Sequence, residues 1–213
     1  VETFRHGFES MLLLATLLGL VGFGSYLARR LRGLDGLLFV LATLMELWAL
    51  LVINRTAETD VTYKPWFVSH VLAFMLSGAA FFSAGAAGIA YLLTSYVLRR
   101  KRAPRMVGTV APLETIERFQ WWALVIGFPL FTYGILTGIC EVVRSTYPTP
   151  RTWLSEPLIV ASFITWGVYA LLIGAMWLTP QMRGRRAATM VTCGMGLVAM
   201  VFLVIEFVSP MHR

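Results

Sequence analysis

Six runs of apolar residues decide what this chain can fold into. They lie at about 8–28, 37–53, 66–98, 120–140, 157–178 and 187–206. Each is close to or above the ~20 residues that a helix needs to cross a ~30 Å hydrocarbon core. A backbone in lipid must satisfy its own hydrogen bonds, so runs of this kind are read as transmembrane helices. Composition agrees: of 213 residues, 58% are hydrophobic and 14% charged, and the mean hydropathy is +0.73. Soluble chains carry roughly a quarter charged residues. The expectation is an all-α integral membrane protein, a single domain built as a bundle of about six transmembrane helices. No internal repeat or low-complexity linker divides it.

Loop charges orient the bundle. Arg29, Arg30 and Arg32 form one group, Arg99, Arg100, Lys101, Arg102, Arg105 and Arg118 a second, and Arg183, Arg185 and Arg186 a third. Together they hold 12 of the 18 basic residues, and alternate connections bring all three to one side. The positive-inside rule makes that side cytoplasmic and puts both termini on the outer, periplasmic side of a bacterial inner membrane. The net charge of +7 is thus a topology signal, and a nucleic-acid partner is not expected. The chain starts at Val1 and enters its first run almost at once. That start leads us to expect missing upstream chain, including helices. No secretory signal is expected, because the basic flank follows the first run.

Much chemistry is excluded. Cys140 and Cys193 give neither a Cys-x-x-Cys-His haem-attachment motif nor paired zinc spacing. They lie at different depths, which argues against a disulfide. No nucleophile–base set or phosphate-cradling glycine loop is present. The chain is therefore not expected to be an enzyme on its own.

What remains is three histidines and some intramembrane polar residues. His6, His70 and His212 all fall on the outer side in this topology. Neutral imidazole is a common metal ligand, and haem iron is held by histidine nitrogen in many proteins. His70 and His212 lie at matching depths on different helices, which suits a flat macrocycle between them, with His6 as the alternative ligand. Below His70, Ala73, Phe74, Ser77, Gly78, Phe81 and Gly85 offer small residues beside aromatic ones. The same residues also describe ordinary close packing of membrane helices, and His212 also reads as a solvated terminus. Glu46 lies near the middle of its run, where a charge is costly and usually functional. It is a candidate proton relay or quinone partner, or a protonated group bonded to a neighbouring helix. Arg5, Arg55, Arg144 and Arg151 are candidate partners for haem propionates.

Two stretches carry a resemblance. One is Ala111-Pro112-Leu113-Glu114-Thr115-Ile116-Glu117-Arg118, and the other is Gly127-Phe128-Pro129-Leu130-Phe131-Thr132-Tyr133-Gly134-Ile135-Leu136-Thr137-Gly138. Together they resemble the cytochrome c assembly family, the group of CcsA, CcmC and HemX-like proteins. Trp66-Phe67-Val68-Ser69-His70-Val71 is similar to the segment holding that family's first periplasmic haem-ligand histidine. The end of the chain, 202–212, is similar to the segment with the second, and Phe8-Glu9-Ser10 to the start of an earlier family helix. The resemblance covers nearly the whole chain, and the glycine-rich fourth run is its most specific part. It implies that His70 and His212 are axial ligands of a non-covalent haem b at the outer face, presented to apocytochromes c. The outer loop departs from the family pattern Trp-x-Trp-Asp-Pro, reading Trp153-Leu154-Ser155-Glu156-Pro157. Trp153 stays a candidate pocket residue beside Ser77 and Gly78, while the replaced residues alter the part implied in handing haem over.

Three functions follow as expectations. The first is a cytochrome c biogenesis protein working in lipid with other membrane subunits and with a c-type cytochrome or apocytochrome outside. A second is an electron-transfer subunit that keeps a bis-histidine haem b between quinol and an outer cytochrome. The third is a structural or regulatory membrane subunit without haem.

Overall fold

In a computed structural model, residues 3–4, 6–28, 31–52, 59–60, 65–99, 111–144, 157–179 and 182–207 are described. Six long helices account for nearly all of them: α1 His6–Leu27, α2 Leu34–Val52, α3 Pro65–Arg99, α4 Leu113–Arg144, α5 Pro157–Leu178 and α6 Arg185–Phe207. All six are long and apolar enough to cross a membrane, so the expected all-α bundle of about six spans is the fold observed. Two short strands, β1 Thr3–Phe4 and β2 Thr59–Asp60, pair antiparallel. They join the segment before α1 to the α2–α3 connection.

The helix α3 is the axis of the bundle. It packs against α4, α6, α1 and α2. A further helix, α5, closes a four-helix ring by touching both α4 and α6. Accordingly 72% of the apolar stretch of α3 is buried, against 33% or less in every other span. Small side chains make this possible. Between Ser77 and Ala90, α3 is mostly Ala, Gly and Ser around Phe81 and Phe82, and backbones approach closely where side chains are small.

The basic end is tied together by backbone geometry. Gly33 and Gly184 both have positive φ, 93° and 69°, a conformation that costs a residue with a Cβ about 1 kcal/mol or more. They turn the chain into α2 and α6. The Ala111 N–H, just before α4, donates to Arg32 O at 3.0 Å. In the first turns of α4, Glu117 Oε1 accepts from Gly184 N–H at 3.0 Å. The α1–α2 turn, the start of α4 and the α5–α6 turn are therefore held at one end, the end on which the arginine-rich groups fall. Glu117→Ala should lower stability by about 1–3 kcal/mol, the cost of stranding a part-buried donor. Glu117→Gln, which keeps an acceptor, should lower it less. Thermal unfolding in detergent reads the difference.

Candidate functional site

Helices α3 and α4 run antiparallel, and their side chains interlock in a simple register. Aromatic rings on α3 meet glycines on α4: Phe81 lies against Gly127, Phe74 against Gly134 and His70 against Gly138. A methyl group at those glycines would come within 3.0 Å of Phe81 Cε1, 2.7 Å of Phe74 Cδ2 and 2.8 Å of His70 Cε1. Glycine is required at all three for the same steric reason. The glycine intervals on α4 mirror the ring intervals on α3 in reverse order.

His70 sits at the end of this seam away from the arginine-rich connections, half-buried. Its Nδ1 lies 2.9 Å from Gly134 O and 3.1 Å from Thr137 Oγ1. A carbonyl oxygen only accepts, so Nδ1 carries the hydrogen and the lone pair of the neutral ring belongs to Nε2. The Thr137 hydroxyl is itself anchored, lying 2.9 Å from both Tyr133 O and Gly134 O. Phe74 meets the imidazole edge-on, with centroids 4.9 Å apart, and Phe74 in turn packs on Phe131 at 5.3 Å.

The two helix ends are stitched further around the histidine. Trp66 Nε1–H donates to Thr137 O at 3.3 Å, and Tyr133 O–H to Ser69 Oγ at 3.2 Å. Ser69 O–H donates to Trp66 O at 2.8 Å. One turn deeper, Trp166 of α5 donates to Thr132 Oγ1 at 3.0 Å and stacks on Phe128. The result is an imidazole with a set tautomer, a fixed ring plane and a rigid wall of aromatic side chains behind it. Chemically, that is a positioned nitrogen ligand. Among the described residues no group of three or more His, Cys, Asp or Glu forms a metal site, so the histidine is the feature with ligand chemistry.

The other expected site residues fall in different places. Ser77 is 1% exposed and its hydroxyl donates to Phe74 O at 2.9 Å. Gly78 faces Phe202 of α6 and Leu14 of α1, whose side chains would stand 3.3 and 3.5 Å from a methyl group placed there, whereas the His70 ring faces α4. Glu46 is exposed on the outer side of α2. His6 is the first residue of α1, and its side chain is outside those described, as are His212 and Trp153. The helix α6 rises along α3 past Gly78 and ends at Phe207, five residues short of His212. Sequence reasoning does not single out Gly134, Thr137 and Gly138 as partners of His70. The matching intervals of rings and glycines are the signal that pairs them.

A family model described as cytochrome C assembly protein matches residues 6–212. The chain is also similar to proteins named cytochrome c biogenesis protein CcsA. That of Thermosynechococcus vestitus is 31% identical over 90 residues, 42% of this chain and 27% of the relative. That of Gloeobacter violaceus is 30% identical over 96 residues, 45% of this chain and 27% of the relative. For Prochlorococcus marinus subsp. pastoris the identity is 24% over 163 residues, 68% of this chain and 51% of the relative. The chain thus spans between about a quarter and a half of the length of these curated relatives. No solved structure matches it. With the family model running over nearly its whole length, the chain is a multi-pass membrane protein that belongs to the cytochrome c assembly protein family.

Proposed function

We propose that this chain handles haem for cytochrome c assembly, binding haem b non-covalently at the outer end of α3 with His70 Nε2 as one axial ligand and His212 as the other. The observation that supports this most is the Nδ1–H bond from His70 to Gly134 O. It puts the lone pair on Nε2 and raises the basicity of that nitrogen, as partners behind metal-bound histidines do. The donor set fits haem, whose iron takes neutral imidazole nitrogen as an axial ligand. Bound haem supplies a redox-active iron and a vinyl-bearing macrocycle for attachment to an apocytochrome. The chain's own residues do the positioning. Gly134 O and Thr137 hold the ring's hydrogen, Gly138 leaves it room, and Phe74 fixes its plane. Of the expected pocket residues we keep Trp153, because Ser77 is buried with its hydroxyl on Phe74 O and Gly78 faces α1 and α6, away from the imidazole.

In this reading the arginine-rich end is cytoplasmic and the histidine end periplasmic, in a bacterial inner membrane. The partners are other membrane subunits and a c-type apocytochrome. The altered tryptophan motif, with Ser155 and Glu156, favours a second reading in which the haem is kept and passes electrons between quinol and an outer cytochrome. Glu46, the expected quinone or proton group, is exposed on α2, whereas His70 lies on the α3–α4 seam, which weakens it. Deleting the gene separates the two. Loss of all haem-stained c-type cytochromes is expected, and loss of one respiratory activity with the others intact would favour retention.

A further inference from the structure

We propose that the corner where α4 meets the α5–α6 turn binds an anionic phospholipid, its phosphate held by Arg118 and Arg183 and its chains laid on Trp122 and Trp177. By sequence, twelve basic residues fall at this end of the bundle against three carboxylates, Asp35, Glu114 and Glu117. Two of the three are turned onto backbone. Asp35 Oδ1 accepts from Gly33 N–H at 2.8 Å, and Glu117 Oε1 from Gly184 N–H at 3.0 Å. The second bond also sets positions. Arg118 follows Glu117 in α4 and Arg183 precedes Gly184 in the turn, so the two arginines flank the point where these segments meet. Both are exposed. Glu114, exposed one turn before Arg118, still leaves the corner positive.

Two exposed tryptophans mark the depth of this corner. Trp122 lies one turn deeper than Arg118 on the same side of α4 and is 52% exposed. Trp177, in the last turn of α5, is 73% exposed. It belongs to the α4 side of that helix. Eleven residues, or three turns, separate it from Trp166, which bonds Thr132 and stacks on Phe128 of α4. Tryptophan on a lipid-facing surface settles at the boundary between hydrocarbon and headgroups. Guanidinium groups one turn further out therefore stand at the level of the lipid phosphates.

An occupant that meets both pairs has to be anionic at one end and apolar at the other, with about one helical turn, ~5 Å, between the two. A phospholipid has that form. Arginine takes two phosphate oxygens at once, and basic pockets between transmembrane helices hold anionic headgroups. In phosphatidylcholine a choline cation lies beside the phosphate and opposes the arginines. Phosphatidylglycerol carries its charge uncompensated. A free phosphate or a soluble acidic segment would meet the arginines and leave the tryptophans unused. The proposal is independent of haem binding.

Native mass spectrometry counts the lipids bound to the purified chain after equilibration in detergent with equal amounts of phosphatidylglycerol and phosphatidylcholine. The wild type is expected to retain phosphatidylglycerol in preference. Arg118→Gln and Arg183→Gln should each lower that preference about fivefold, the scale of one arginine near an anionic membrane surface. Arg183→Lys, which keeps the charge and loses the fork, should lower it less. Trp177→Ala should weaken retention of both lipids and leave the preference between them. Arg99→Gln is the control, removing the same charge eight residues past Tyr91, whose hydroxyl lies against Gly184. That places it about 12 Å further out along α3, and the preference should not change. Equal retention of the two lipids by the wild type would overturn the proposal. So would an equal drop in Arg99→Gln, or release of the bound phosphatidylglycerol by inorganic phosphate.

Discussion

Replacing His70 with alanine is expected to remove haem b from the purified protein while leaving the six-helix bundle in place. The substitution deletes the proposed ligand and one hydrogen bond to Gly134 O, worth about 1 kcal/mol. Alanine is the best helix former, and α3 is held along its length by α1, α2, α4 and α6, so helical content should not change. Added imidazole should restore part of the haem signal by entering the space vacated in front of Gly138. His212→Ala should also lose the haem, and His6→Ala should keep it. A signal that survives both His70→Ala and His212→Ala would move the ligand assignment to His6.

Adding a single methyl group at Gly138 should have the second-largest effect. The Cβ of Gly138→Ala would lie 2.8 Å from His70 Cε1, closer than two carbons approach without repulsion. The imidazole must tilt away, lengthening its bond to Gly134 O and turning Nε2 from its set direction. Overpacking of this kind costs about 1–3 kcal/mol. The haem occupancy should fall sharply even in protein that remains folded. Gly127→Ala is the control, because its methyl would come within 2.9 Å of Ala80 Cβ and 3.0 Å of Phe81 Cε1. It overpacks the same helix pair, deeper in the membrane and away from the histidine. It should lower thermal stability by a similar amount while haem binding per folded protein stays intact. Equal haem loss in both variants would mean that Gly138 acts on the helix pair alone and not on the histidine.

Much of this architecture is legible in the sequence. Spans can be read from run length because lipid leaves the backbone no other way to satisfy itself. The end that gathers Arg32, Glu117 and Gly184 is the one that the arginine-rich connections mark. His70 stands out because histidine is scarce in this chain. Its surroundings do not, because they depend on antiparallel register: Gly134 and Gly138 become its neighbours only once α4 is laid beside α3. The small residues below His70 have two readings in the sequence. In the structure Gly78 faces α1 and α6 while the imidazole faces α4, a distinction that a run of Ala, Gly and Ser cannot announce. Glu46 is conspicuous by type, yet the sequence does not say whether it points to a neighbouring helix or away from the bundle, because that depends on how α2 is packed.

Haem b held by a histidine that the α3–α4 register positions is tested most directly by a reduced-minus-oxidised difference spectrum. The purified wild-type chain is recorded beside Gly138→Ala and Gly127→Ala. A haem b signal is predicted in the wild type, retained in Gly127→Ala and diminished in Gly138→Ala. A wild-type protein, folded and prepared from haem-replete cells, that shows no haem b signal would contradict this assignment.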